Sequence, residues 1–136
     1  MSETALMRQI RAAVNALPGV RLWRNNSGVG RGLSNPGVVT YGLGEGSADL
    51  VGVCSVTIVN GPPELYPRYF AAANEGFYLE IGRFFALEVK TKAGRVSAEQ
   101  AAWARCVREL GGFCATVRSV DDAVAAVERC RRGEQA

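Results

Sequence analysis

Between Phe84 and Lys90 the chain reads Phe-Phe-Ala-Leu-Glu-Val-Lys, apolar enough for an interior strand yet carrying an acid and a lysine two residues apart. Residues two apart on a strand share a face. Glu88, Lys90 and Lys92 are therefore expected to project together, with Leu87 and Val89 on the other side. An ionised side chain in such surroundings is costly unless it is paired or holds a cation. Upstream, Gly46-Ser47-Ala48-Asp49-Leu50-Val51-Gly52 places a second acid at the start of another apolar run. Lys90 and Lys92 are the only lysines, every other basic residue being arginine. Arginine keeps its proton, whereas the pKa of a lysine can be moved. Placing lysine only here points to chemistry rather than solubility.

The rest of the composition narrows that chemistry by exclusion. There is no histidine, so a Ser-His-Asp or Cys-His nucleophile, a His-ligated zinc and an imidazole base are ruled out. Any hydrolysis is expected to run on carboxylates, lysine, glutamine and metal-bound water. The four cysteines, Cys54, Cys106, Cys114 and Cys130, form no C-x-x-C pair and are read as reduced and mostly buried. No apolar run approaches the ~20 residues of a membrane span, and no basic-then-apolar leader opens the chain. A cytoplasmic location is expected. A net charge of +3 points only weakly to nucleic acid.

At 136 residues one domain is expected. Ser2 or Thr4 can cap a first helix whose stripe is Leu6, Ile10, Val14 and Leu17, stopped by Pro18-Gly19. Val20–Arg24 reads as a strand ending in Asn25-Asn26. Ser27 to Gly46 is Gly-rich, with a turn at Asn35-Pro36-Gly37 and a short strand at Val38–Tyr41. Asp49–Val59 suits one long strand or two short ones, and Arg83–Thr91 the central strand. Glu64–Glu80, broken by Pro67 and Gly76, has room for a short helix. Ser97-Ala98-Glu99-Gln100 matches a capping box, opening a helix with Trp103, Val107 and Leu110 inward and Gly111-Gly112 at its end. A strand at Phe113–Arg118 precedes a last helix capped by Ser119, with Val120, Val124 and Val127 inward. This order implies an α/β fold, a mixed sheet flanked by helices.

If the Asp49 stretch pairs beside the Glu88 strand, the two carboxylates converge. Such a pair suits a hard cation such as Mg²⁺ or Mn²⁺, which takes oxygen ligands and keeps waters. A divalent ion beside a lysine suits phosphodiester hydrolysis.

These residues, in this order, resemble the PD-(D/E)XK nuclease superfamily and, within it, the stand-alone VRR-NUC branch. The matching pieces are Ser2-Glu3, Arg24-Asn25-Asn26-Ser27-Gly28, Gly46 to Gly52, Gly82 to Thr91, Gly94 to Gln100, Gly111-Gly112, and Val117 to Ala123. Glu-x-Lys alone is a weak motif; the ordered set spans nearly the whole chain. The resemblance implies a restriction-endonuclease-like sheet and a metal-dependent DNA endonuclease with Asp49, Glu88, Lys90 and Gln100 as its catalytic set. Asp49, Glu88 and the Val89 backbone carbonyl would hold Mg²⁺ or Mn²⁺, with Glu3 as an accessory acid. Arg24, Asn25, Asn26, Arg31, Ser47, Lys92 and Arg95 would face DNA. Structure-selective members of this branch act as homodimers on branched DNA, such as four-way (Holliday) junctions. One departure is the 39-residue separation of Asp49 and Glu88, which makes about 60–82 look like an insertion within the single domain 1–136.

Several of these residues carry a second, plainer reading. Asp49, Glu88 and Lys90 also suit a structural ion-pair set. Gln100 is a common N3 residue of a capping box, although it shares the face of Trp103 and Val107. Glu3 suits a first helical turn, Asn25 and Asn26 suit turns, and Lys92 and Arg95 suit a solvated turn. Gly28-Val29-Gly30-Arg31-Gly32 fits no nucleotide-binding spacing, so no nucleotide cofactor is expected; with no apolar run near membrane length, no membrane partner is expected either. The alternative function is a catalytically silent or partner-dependent DNA-binding module that keeps a nuclease fold.

Overall fold

The computed structural model describes residues 1–31, 37–59 and 78–135. The element order is α1 (Glu3–Asn15), β1 (Val20–Arg24), β2 (Gly28–Arg31), β3 (Val38–Tyr41), β4 (Leu50–Val59), β5 (Tyr78–Val89), α2 (Ala98–Glu109), β6 (Phe113–Val117) and α3 (Val120–Arg131). Four strands form one mixed sheet in the order β1-β4-β5-β6, and β2-β3 form a separate two-stranded ribbon. The expected mixed sheet flanked by helices is present.

Local signals explain most boundaries. The Ser2 hydroxyl accepts the Ala5 N–H (3.1 Å) and so caps α1, one of the two caps expected. At the other end the Asn15 amide brackets Leu22, donating to its carbonyl (3.0 Å) and accepting its N–H (2.7 Å). That clamp fixes α1 against β1. Ser97 and Ser119 cap α2 and α3, accepting the N–H groups of Gln100 and Asp122.

β4 and β5 pair antiparallel over ten residues, from Leu50↔Leu87 to Val59↔Tyr78. β5 thus begins at Tyr78, and residues 78–82, expected in the insertion, belong to the sheet. β5 and β6 are parallel. A parallel pair requires a crossover, and α2 supplies it. The segment 60–77 lies outside the described residues, as do Asn35 and Pro36 of the expected turn and the expected helix within 64–80, apart from 78–80 in β5. β2 was not anticipated; only its partner β3 was.

The main core lies between one sheet face and helices α1 and α3. Leu22, Leu50, Cys54, Phe85, Leu87 and Val89 meet Ile10, Val14, Ala126 and Val127 there. Each large side chain fully withdrawn from water contributes about 1.5–3 kcal/mol. Arg83 reaches the edge of this core. Its guanidinium donates to the carbonyls of Gly111 (3.0 Å), Cys130 (3.1 Å) and Glu134 (2.6 Å), and lies 5.7 Å from the Phe113 ring centre. It thereby satisfies carbonyls left over at the ends of two helices.

The opposite face carries a smaller cluster, Ala48, Ala86 and Cys114, covered by Trp103, Ala104 and Val107 of α2. Two expected inward residues are corrected. Leu110 is 84% exposed, because α2 ends at Glu109 and its last turn runs off the sheet. On α3 the buried residues are Ala123, Ala126, Val127 and Cys130, with Val124 only half-buried. The α3 stripe is rotated toward its small residues, which let the helix lie close to the strands. Three cysteines are buried, and Cys106 on α2 is exposed.

Candidate functional site

Continuing the β4–β5 register one step past Leu50↔Leu87 sets Asp49 opposite Glu88. Directly opposed side chains on one face lie close together, and like charges there repel. After burial, the Asp49 charge beside it is one of the causes that raise the Glu88 carboxyl. Asp49 Oδ2 also accepts the Val89 N–H (2.8 Å), which occupies a backbone group just beyond the end of the ladder.

The loop before Asp49 is held in place by its own sequence. Gly46 has φ +80°, and a Cβ there would fall 2.4 Å from the Glu99 carbonyl oxygen. Only glycine allows this conformation together with so close an approach to the first turn of α2. The Ser47 hydroxyl donates to the Gly44 carbonyl (2.7 Å). The Asn25 amide donates to Ser47 Oγ (2.8 Å) and to the Ala48 carbonyl (2.9 Å), and the Asn25 N–H reaches the Asp49 carbonyl (2.8 Å). Asn25 and Ser47, expected to face DNA, are thus occupied in fixing Asp49; Ser47 is buried.

From the other side α2 brings Gln100. Its Oε1 accepts the Ser97 N–H (2.9 Å), completing the capping box, while its Nε2 donates to Glu88 Oε1 (2.6 Å). The capping-box reading of Gln100 therefore holds, and the other end of the same amide contacts Glu88. Lys90 Nζ lies 3.4 Å from the same Glu88 oxygen.

Glu88 is only 6% exposed. Its carboxyl is pushed from the ordinary 4.5 up to about 7, first by burial and then by the charge and hydrogen bond of Asp49; Lys90 pulls the other way. The cost of ionising both acids exceeds what one ammonium returns. A cavity of 130 Å³ lies behind Glu88, lined by Gln100, Ala104, Arg108, Cys114 and Thr116 among others. Burial raises the Cys114 thiol to about 11.

The donor set fits a hard divalent cation. It is all oxygen, and the mutual repulsion of its two acids is what a cation between them relieves. Among the described residues no three Asp, Glu, Cys or His side chains gather tightly enough to hold a metal. Asp49 and Glu88 therefore form a pair, and further ligands would come from backbone, water or substrate. Glu3 stands half-buried in the first turn of α1, without a hydrogen bond or ion pair to either acid.

The remaining expected residues divide. Arg24 and Asn26, with Ser27, Tyr41 and Met7, line a polar cleft of 250 Å³ that opens onto Asp49. Lys92 does not share the face of Glu88 and Lys90. β5 ends at Val89, and Lys92 sits in the following turn, lining a separate, mainly apolar cleft with Leu6, Thr91 and Arg118. Arg95 is exposed in the loop before α2. The Arg31 side chain lies outside the described residues. Tyr41 and Ser27, which also line the cleft beside Asp49, were not singled out from the sequence; their one signal was their nearness to Asn26 and to the Gly-rich loop.

No protein-family model, curated protein or solved structure matches this chain. Among the described residues no helix is long and apolar enough to cross a membrane.

Proposed function

We propose that this chain is a divalent-metal-dependent DNA endonuclease of the PD-(D/E)XK type, in the VRR-NUC manner. The observation that carries the reading is the convergence of Asp49, Glu88, Lys90 and Gln100 from three separate segments, with Glu88 raised to about 7. A purely structural ion-pair set has no need of two adjoining acids and a single lysine. Asp49, Glu88 and the Val89 carbonyl are the groups that would hold Mg²⁺ or Mn²⁺. The cation, when bound, supplies Lewis acidity, making water more acidic and polarising a phosphoryl oxygen. Gln100 fixes the Glu88 carboxyl, and Asp49 is fixed by the Val89 N–H. The Lys90 ammonium orients the attacking water and stabilises charge developing on the phosphate. The attack is in line, with no covalent intermediate on the protein.

A single small domain has little surface for reading a long sequence, so selection by DNA structure is the proposed mode, with four-way junctions first. A homodimer would supply two sites for two symmetric nicks. Trp23, Val53 and Phe84, on the sheet face that α2 leaves partly uncovered, are 50%, 42% and 38% exposed. They support such an interface.

The test is cleavage of labelled four-way junction, flap, single-stranded and plain duplex DNA with Mg²⁺ or Mn²⁺, with Asp49→Ala as control. Metal-dependent cutting of branched DNA, lost in the variant, supports the reading. Binding without any cutting would favour a silent or partner-dependent module. Light scattering showing only monomer at micromolar concentration would remove the dimer.

A further inference from the structure

We infer that Tyr41, with Arg24 and Asn26, forms a seat for one unpaired nucleotide of the DNA strand at the proposed cleavage site. This inference rests on the nuclease reading and assigns a specificity-determining residue that the sequence did not suggest.

The cleft shared by Tyr41 and Asp49 is polar and modest, at 250 Å³. It is too small for a length of duplex and of a size for a single nucleotide. Among the described residues the Arg24 guanidinium, the Asn26 amide, the Ser27 hydroxyl and the Tyr41 hydroxyl have no hydrogen-bond partner in the protein, whereas neighbouring Asn25 has both amide hydrogens engaged. These four groups are exposed, and beside Asp49 they are open to a ligand with a phosphate and a base edge.

The ring itself is specially seated. Tyr41 closes the β2–β3 ribbon opposite Gly28. A Cβ at Gly28 would fall 2.7 Å from Tyr41 Oη and 3.0 Å from its Cζ. The absence of a side chain at 28 leaves room for the hydroxyl end of the tyrosine over its cross-strand partner, and φ at Gly28 is not in the left-handed region. The glycine therefore serves the ring and not the turn. Tyr41 is 50% exposed, so the ring keeps free surface while the rest of the residue is fixed. An aromatic ring held in this way is a stacking platform for a base. A base inside a duplex is already stacked and paired, so only an unpaired one can use it. Arg24, at the end of β1, is placed for the adjoining phosphate.

The experiment compares a fully paired duplex with the same duplex carrying one unpaired 2-aminopurine nucleotide. Affinity is read by anisotropy and stacking by 2-aminopurine emission, with Ca²⁺ replacing Mg²⁺ to hold cleavage back. The wild-type chain is expected to prefer the unpaired probe and quench its emission. Tyr41→Ala should lose that preference, by about tenfold or more, the size of one base–aromatic stack. Tyr41→Phe should keep it, and Gly28→Ala, which displaces the ring, should lower it. Circular dichroism confirms that each variant is folded. A Tyr41→Ala chain that keeps the wild-type preference, or a Tyr41→Phe chain that loses it, overturns the proposal. If wild-type chain cleaves paired and unpaired DNA alike, and Tyr41→Ala does too, the nuclease reading stands and this seat does not. If it neither binds nor cuts any DNA, both fall.

Discussion

Replacing Glu88 by Gln should make the protein more stable at alkaline pH and leave it nearly unchanged at acid pH. In the unfolded chain this carboxyl ionises near 4.5; in the fold it ionises near 7. Below 4.5 it is protonated in both states. Between the two values the folded chain keeps a proton that the unfolded chain has released, so stability falls as pH rises. Above 7 the contribution is gone. At 1.36 kcal/mol per pH unit, the rise from 4.5 to about 7 corresponds to about 3 kcal/mol. The group is almost wholly shielded from water, so little discount for screening is needed. Gln at 88 keeps the shape and can still accept from Gln100 Nε2, but it has no charge to repel Asp49. It also leaves Lys90 without its partner at 3.4 Å, which returns part of the gain. The expected net stabilisation at pH 8 is therefore about 1–3 kcal/mol, shrinking toward zero at pH 5. Urea unfolding of both proteins from pH 5 to 9, without divalent metal, measures it. A wild-type minus variant difference that stays flat across that range would refute the assignment of the raised carboxyl.

The same site yields a metal prediction: Asp49→Ala should abolish Mn²⁺ binding by calorimetry while the circular dichroism spectrum is kept, and Lys90→Ala should bind Mn²⁺ yet lose cleavage rate. Gln100→Glu separates the two tasks of that residue, since glutamate preserves the capping box but sets a like charge against Glu88. It should destabilise above pH 7 and be nearly neutral at pH 5, whereas a pH-independent loss would mean that only the cap matters. Arg83→Met should cost about 3 kcal/mol in urea unfolding, because three carbonyls at 2.6–3.1 Å lose a charged donor. A loss under 1 kcal/mol would show that water replaces it.

Much of this arrangement was legible because it rests on local rules. Glu-x-Lys in an apolar run forces both side chains onto one face, and a Ser-x-x-Gln box announces both a helix start and the position of Gln100. The sheet and the helix order followed from such signals. What was not legible depends on neighbours that are distant in the chain. Asn25 and Ser47 are polar residues beside a Gly-rich loop, and nothing in their spacing tells a phosphate contact from a loop clamp. Lys92 seemed to share the Glu88 face because period-2 geometry was carried past Val89, where β5 in fact ends. Leu110 and Val124 were assigned inward on periodicity, but which face of a helix is buried depends on how far the helix runs over the sheet. The β2–β3 ribbon was missed in half, since Gly28–Arg31 has little strand propensity and is held by its partner.

The position of the Asp49–Glu88 pair explains how a fold can keep two repelling acids together. Within the ladder, opposed carboxylates would weaken strand pairing directly. Here they stand one step beyond the last β4–β5 pair, where backbone groups facing β4 would otherwise seek water, while Glu88 stays paired with Thr116 of β6. Asp49 Oδ2 takes the Val89 N–H at that point, so the side chain of one acid completes the end of the β4–β5 ladder. Gly46 presses its loop on α2, Asn25 ties that loop to β1, and Gln100 locks Glu88 from the helix start. None of these holding contacts requires the pair to be charged. The scaffold therefore fixes the positions of the two carboxyls without fixing their charge, which suits the proposed cation site. If that is so, a divalent ion should raise the stability of the wild-type chain most at pH 8 and leave Glu88→Gln almost unaffected. Equal stabilisation of both by Mg²⁺ would place its binding elsewhere.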